Sequence, residues 1–120
     1  MNLETYKNKS VKKPWGYYNV IKETPDFKEK LIIIHQNQRL SLQKHEKRDE
    51  LWKIKQGIAE ITLDNKILNL SKNDELFIPR QSIHRVKNIG SNHLIIKEIQ
   101  TGDYFGEDDI IRIEDDYGRA

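Results

Sequence analysis

The chain contains no cysteine, so it has neither disulfide bonds nor thiolate ligands for a metal ion. It also lacks long apolar runs, because its longest aliphatic stretch is the four residues 31–34. Such a stretch is too short to cross a bilayer, and the N-terminal sequence has no apolar core of a secretion signal. We therefore expect a cytoplasmic protein without a membrane segment, stabilised by packing.

A strong excess of one charge is also missing. Lysine and arginine total 21, aspartate and glutamate 19, and the resulting net charge of +2 creates no field that would gather phosphate backbones. We therefore expect no nucleic-acid partner. The 36% hydrophobic residues are enough for one folded core, and 120 residues correspond to a single domain.

Short strands separated by turns dominate the chain, and no window has helical spacing of apolar residues. Residues 15–22 and 27–36 predict a hairpin around Thr24-Pro25-Asp26, where proline presets the turn dihedral. This pattern predicts an all-β fold, an antiparallel sandwich or barrel. The further predicted strands are 40–45, 51–55, 59–63, 66–70, 75–78, 84–87, 93–100 and 110–114.

The first residues show no clear pattern. We assign residues 1–12 to an N-terminal arm that frays or packs on a partner, and 13–120 to the domain. A small barrel with such an arm favours a homodimer.

Four polar residues have a spacing typical of a metal site. Gln43 and His45 lie two apart on a predicted strand and therefore point to one face, while Glu50 begins the next strand and His84 lies on a later one. Two imidazole nitrogens with two oxygens suit one divalent ion, zinc first and also manganese, cobalt, nickel or iron. The alternative is that this charged run, QKHEKRDE, is a solvated loop.

Two ordered motifs resemble those of the cupin superfamily. The first is Asn37-x5-Gln43-x-His45-x4-Glu50-x6-Gly57, and the second is Asn73-x5-Pro79-x-Gln81-x2-His84-x3-Asn88. The resemblance implies a cupin double-stranded β-helix, a jelly-roll barrel. Asn37, Asn73 and Gln81 stand where cupins usually have glycine, and asparagine is the cheapest substitute at positive φ.

Further segments resemble the C-terminal cupin domain of type II mannose-6-phosphate isomerases. That domain is commonly fused behind a mannose-1-phosphate guanylyltransferase, whose glycine-rich nucleotide loop this chain does not contain. Phosphomannose isomerases use a glutamine, histidine, glutamate, histidine ligand set, which implies metal ligation by Gln43, His45, Glu50 and His84. The segments, covering nearly all the chain after Val11, are KPWGYY, LSLQKH, RDE, IP, HR and EIQTGDYFGEDDIIR.

The sequence departs from that family at three positions near the ligands. Glu46, Lys47 and Leu51 stand where family members often carry histidine. If the ligands were His45 and residue 47 instead, the lysine would abolish the site, and the protein would be a degenerate sugar-binding cupin.

The substrate and catalytic assignments complete the predicted site. We assign Lys13, Lys53 and Arg85 to substrate binding, since cations hold phosphate through charge-assisted bonds and Arg85 adjoins His84. Arg112 joins the catalytic set as a second phosphate-holding arginine. Glu98 is the candidate general base, because it shares the parity of apolar residues on its strand; the alternative is a carboxylate paired to a lysine or arginine.

These features predict a metal-dependent aldose–ketose isomerase that interconverts mannose 6-phosphate and fructose 6-phosphate, with a phosphorylated hexose as its partner. Two alternatives remain open. One is a non-catalytic cupin that binds a sugar or nucleotide sugar, and the other is a different cupin sugar isomerase or epimerase.

Overall fold

A computed structural model describes residues 10–120, and this part of the chain contains eleven strands and no helix. The all-β prediction is therefore confirmed. None of the described residues forms a helix able to span a membrane. The strands are β1 (Ser10–Lys13), β2 (Gly16–Glu23), β3 (Phe27–Ile34), β4 (Leu42–Lys44), β5 (Arg48–Gln56), β6 (Ala59–Leu63), β7 (Lys66–Leu70), β8 (Glu75–Ile78), β9 (His84–Asn88), β10 (Leu94–Gly102) and β11 (Ile111–Glu114).

The strands form two antiparallel sheets. One has six strands in the order β1-β2-β3-β10-β5-β8, and the other has five in the order β11-β4-β9-β6-β7. Because side chains alternate along a strand, each inner face supplies every second residue to the core. Aliphatic residues of both sheets and the two tryptophans make this core; its fully buried members include Ile34, Trp52, Ile54, Ile61, Val86, Leu94 and Ile96.

The predicted hairpin is β2 and β3. Thr24 closes its turn, since its hydroxyl Oγ1 accepts a hydrogen bond from the backbone N–H of Phe27 at 3.1 Å. Of the predicted arm, residues 1–9 lie outside the described residues, and residues 10–12 belong to β1, which pairs with β2.

The backbone is left-handed at the three turn positions where cupins usually have glycine. Asn37, Asn73 and Gln81 have φ values of 62°, 76° and 68°. The turn at Gln81 is tied to the ligand region, because its backbone N–H donates to the carbonyl of His45 at 2.6 Å. The turn that precedes His84 is therefore compatible with a non-glycine residue here.

Gly16 occupies a position where no side chain fits. Its φ is 152°, and an added Cβ would lie 2.1 Å from the carbonyl oxygen of Ile33. We expect Gly16→Ala to lower the free energy of unfolding by about 2 kcal/mol or more. A Cβ added at Gly118 would meet none of the described atoms within 4 Å, so the cost of Gly118→Ala comes from its positive φ of 76° alone. We expect this variant to lose about 1 kcal/mol of the free energy of unfolding. Urea denaturation of both variants checks this; equal losses would contradict the steric account.

Candidate active site

The four predicted metal ligands come together inside the barrel. Gln43 lies on β4 opposite His84 on β9, His45 follows β4, and Glu50 lies on β5. The ring centroids of His45 and His84 are 5.1 Å apart. His45 is 3% exposed, and Glu50 and His84 are each 1% exposed. The charged run is therefore buried at its ligand positions and is not a solvated loop.

Hydrogen bonds orient both imidazoles. The Nδ1 atom of His45 lies 2.6 Å from the backbone carbonyl oxygen of Asp109, and Nδ1 of His84 lies 3.0 Å from that of Ser82. A carbonyl only accepts, so each Nδ1 carries the proton and donates it. Each Nε2 is therefore unprotonated and presents its lone pair to the cluster, as in metal-ligating histidines.

The two Nε2 atoms converge on the Glu50 carboxylate. The distances from Nε2 to the nearest Glu50 oxygen are 3.3 Å for His45 and 3.7 Å for His84. Nε2 of His84 is buried without a hydrogen-bond partner among residues 10–120, which is costly unless a cation binds there. Burial, followed by the charge of Arg48, lowers the pKa of His45 to about 4, which keeps its imidazole neutral. These residues fit a divalent cation.

Gln43 requires one local adjustment to act as a ligand. Its Oε1 accepts a hydrogen bond from the hydroxyl of Ser41 at 2.6 Å, and its Nε2 lies 3.4 Å from Nε2 of His45. A half-turn of the amide exchanges these two atoms, and the serine hydroxyl can then accept instead of donate. Gln43 can therefore present an oxygen to the cluster.

Arg48 is the principal site residue that the sequence analysis missed. Its Nε donates to Glu50 at 2.9 Å, and one of its terminal nitrogens lies 3.4 Å from Nε2 of His45. Arg48 is 5% exposed. It supplies a positive charge to the cluster of hydrogen-bond acceptors formed by His45, Glu50 and His84, which we call the acceptor cluster. Parity could have indicated it, since Arg48 and Glu50 are two apart on one strand.

Glu98 lies on the inner face of β10, the same face as the apolar residues Leu94 and Ile96, as the sequence predicts. The indole Nε1–H of Trp52 is shared between Glu50, at 3.2 Å, and Glu98, at 3.1 Å. The amide of Gln100 also donates to Glu98, at 2.6 Å. Burial, with the charge of Glu50 second, raises the pKa of Glu98 above its usual range. A carboxyl of this kind can exchange a proton nearer neutral pH.

A pocket opens beside this cluster. Gln43 and His45 line this pocket, whereas Glu50 and His84 do not. Arg112 faces Gln43 across the β4–β11 pairing, and no described residue forms a hydrogen bond with its buried Nε. The residues that line the pocket are Lys13, Trp15, Tyr18, Lys30, Ile32, Leu40, Gln43, His45, Arg48, Glu98, Glu107, Ile110, Arg112 and Arg119.

Lys53 and Arg85 are not brought to this pocket. Lys53 has the opposite parity to Glu50 and Trp52 on β5, so it belongs to the outer face of that sheet. Arg85 likewise alternates with His84 on β9; its guanidinium donates to the Leu40 carbonyl at 2.9 Å and to Glu114 at 2.8 Å. Because Arg85 is adjacent to His84 on one strand, the two side chains point to opposite faces. Arg85 instead links β9 to β11 through Glu114.

Solved structures with the same architecture identify the fold. An oxalate decarboxylase from Lactobacillus farciminis in complex with formate matches with a TM-score of 0.77 at 21% identity, over 88% of this chain and 33% of that chain. A double-stranded β-helix protein from Klebsiella pneumoniae matches with a TM-score of 0.73 at 18% identity, over 95% and 90%. The cupin double-stranded β-helix prediction is confirmed.

Curated relatives are more similar in sequence. The alginate biosynthesis protein AlgA of Pseudomonas aeruginosa is 43% identical over 117 residues, which are 98% of this chain and 24% of that protein. The mannose-1-phosphate guanylyltransferase of Escherichia coli is 40% identical over 98% of this chain and 25% of its own length. The chain thus spans about a quarter of the length of these relatives.

The sequence profile of one family covers almost the whole chain. The profile described as mannose-6-phosphate isomerase C-terminal matches residues 2–115. This range includes β1 to β11, both ligand motifs and four of the five lysines and arginines that line the pocket, so the match extends over all eleven strands rather than one motif. The chain therefore belongs to the mannose-6-phosphate isomerase C-terminal family.

Proposed function

We propose that the chain is a metal-dependent aldose–ketose isomerase that interconverts mannose 6-phosphate and fructose 6-phosphate. The observation that carries the proposal is the convergence of His45, Glu50 and His84, whose possible ligand atoms all lie within 4.8 Å of one another, beside a pocket lined by cations. Membership of the isomerase family supports the same substrate class.

The reaction moves a carbonyl group between C1 and C2 of an open-chain sugar. A divalent cation held by Gln43, His45, Glu50 and His84 would supply an electrophile that draws electron density from the sugar oxygens. Glu98, on the pocket wall, takes the proton from the carbon beside the carbonyl; the C–H electron pair becomes the C1–C2 double bond and the carbonyl π pair moves to its oxygen, which gives an enediolate. The hydroxyl proton then passes from O2 to O1, and returning the first proton to C1 leaves the carbonyl at C2 and completes the transfer.

We assign Arg112 and Lys13 to the substrate phosphate, and the support for this assignment is that both cations line the pocket. We expect Arg112→Met to raise KM for mannose 6-phosphate about tenfold, because a charge-assisted contact is lost. Lys53→Met removes the same charge from the outer face of β5 and should leave KM unchanged. Initial-rate kinetics of both variants make the comparison. Equal KM values for Arg112→Met and the unmodified protein would remove Arg112 from this role.

Arg48 favours one second candidate function. Its guanidinium pairs with Glu50, so the charge of that carboxylate can be neutralised by Arg48 instead of a metal ion. The second candidate is a sugar-binding cupin without catalysis.

One experiment separates the two candidates. The chain is stripped of metal with a chelator, reloaded separately with zinc, manganese, cobalt, nickel or iron, and assayed for conversion of mannose 6-phosphate to fructose 6-phosphate. We expect turnover only in a reloaded sample. No turnover with any ion, together with equal sugar binding by stripped and reloaded protein, would contradict the isomerase and support the binder.

A further inference from the structure

One carboxylate that lines the pocket already forms an ion pair with a lysine that also lines it. Glu107 lies in the segment between β10 and β11, and both of its oxygens lie 2.8 Å from the ammonium nitrogen of Lys30. Lys28 is a weaker partner at 3.5 Å. The Lys30 side chain is 5% exposed and that of Glu107 is 40% exposed, so Glu107 covers the lysine from the solvent side.

Without Glu107, positive charges would strongly outnumber negative ones in the pocket lining. Five cations line the pocket, and its only lining carboxylates among the described residues are Glu98 and Glu107. Glu98 is buried deeper, beside Trp52 and Gln100. Burial would raise the pKa of Glu107, but Lys30, followed by Lys28 and Arg48, lowers it to about 2. Glu107 is therefore a permanent anion among these cations.

Two side chains already contact the Lys30 ammonium. Its ammonium donates to the Glu107 carboxylate, and the Tyr18 ring lies on it with the centroid 4.1 Å away. An incoming phosphate would have to share Lys30 with the carboxylate or displace it, at the expense of like-charge repulsion. A sugar phosphate can offset that repulsion through its hydroxyl contacts elsewhere in the pocket, whereas free phosphate cannot.

We infer that Glu107 is a specificity-determining residue that competes with small inorganic anions for the pocket cations and so reserves them for an anion carried on a sugar. Repulsion against the unwanted ligand is a general route to selectivity. The sugar part of the inference rests on the proposed function, whereas the competition with free anions does not.

A purely structural role for Glu107 predicts the opposite behaviour. If Glu107 only tethered its segment, its loss would loosen the pocket wall and weaken anion binding. The segment has other anchors, however, because both carboxylate oxygens of Asp109 accept hydrogen bonds, from the backbone N–H groups of Glu46 and Lys47 at 3.0 Å each. The segment should therefore keep its place without the Glu107 charge.

The test is the binding of inorganic phosphate to the full chain, measured by isothermal titration calorimetry in a buffer free of phosphate and sulfate. Glu107→Gln keeps the shape and one acceptor oxygen, and should lower the Kd for phosphate about tenfold or more. Asp108→Asn is the matched control: it removes the same charge one residue away, where the carboxylate accepts a hydrogen bond from the Tyr104 hydroxyl at 2.5 Å. It should leave the Kd within about twofold.

Unchanged or weaker phosphate binding by Glu107→Gln would overturn the inference, and so would an equal gain in Asp108→Asn. Adding Lys30→Met to Glu107→Gln should abolish the gain; its persistence would also contradict competition at Lys30. Glu107→Ser, with the same expected gain, replaces Glu107→Gln if that variant fails to fold. Because phosphate binding requires no turnover, the isomerase assay on the unmodified protein tests the proposed function separately.

Discussion

Replacing His84 by alanine should reduce the bound divalent metal from about one ion per chain to nearly none. His84 contributes an oriented Nε2 whose buried lone pair has no hydrogen-bond partner in the described part of the chain, and the remaining ligands cannot close the cluster around an ion. His45→Ala should have the same effect. Metal content is measured by mass spectrometry of protein reloaded with zinc and dialysed.

Two variants control for the loss of a side chain. His93→Ala removes an exposed imidazole that stacks on His35, outside the ligand cluster, and should retain the full metal content. Lys47→Ala should also retain it, since Lys47 is exposed and its ammonium lies near the Tyr104 ring, 5.2 Å from the centroid. Full metal content in both His45→Ala and His84→Ala would disprove the ligand assignment.

Replacing Glu98 by glutamine should lower kcat by a factor on the order of a hundred or more while sparing bound metal. The amide keeps the shape of the side chain and an acceptor for Trp52, but it cannot take a proton. Mannose 6-phosphate labelled with tritium at C2 reports the step directly. The unmodified protein should release label into water, and Glu98→Gln should slow the release by the same factor as kcat.

The matched control for Glu98 is Glu29→Gln. Glu29 pairs with Lys97 at 3.3 Å on the outer face of the same sheet, so it is a carboxylate with only a structural partner. Its replacement should leave tritium release unchanged. If Glu98→Gln isomerised mannose 6-phosphate at the unmodified rate, Glu98 would not be the base.

Strand parity explains how much of the site could be predicted from the sequence. Gln43 and His45 are two residues apart, and Glu98 shares the parity of Leu94 and Ile96, so alternation alone assigns each to the inner face. The positive φ values at Asn37 and Asn73 likewise follow from local turn chemistry. These features depend on a few neighbouring residues, which is why the sequence contains them.

Other features depend on contacts between distant segments. Lys30 and Glu107 meet only because the segment after β10 folds back over β3, and nothing local to either residue indicates that pairing. The run that contains Arg48 is highly charged and predicts exposure, so strand alternation assigns Arg48 to the inner face only once Glu50 is known to face inward. The adjacency of Arg85 to His84 predicts a role in substrate binding, yet neighbouring residues on a strand face opposite sides.

The central claim is that His45, Glu50 and His84 form a metal centre. The most direct test is the anomalous scattering of crystals of the chain loaded with cobalt. We predict one anomalous peak enclosed by Nε2 of His45, Nε2 of His84 and the Glu50 carboxylate, with the Arg48 guanidinium displaced from Glu50. No peak at this position in cobalt-loaded crystals, with Arg48 still paired to Glu50, would contradict the account.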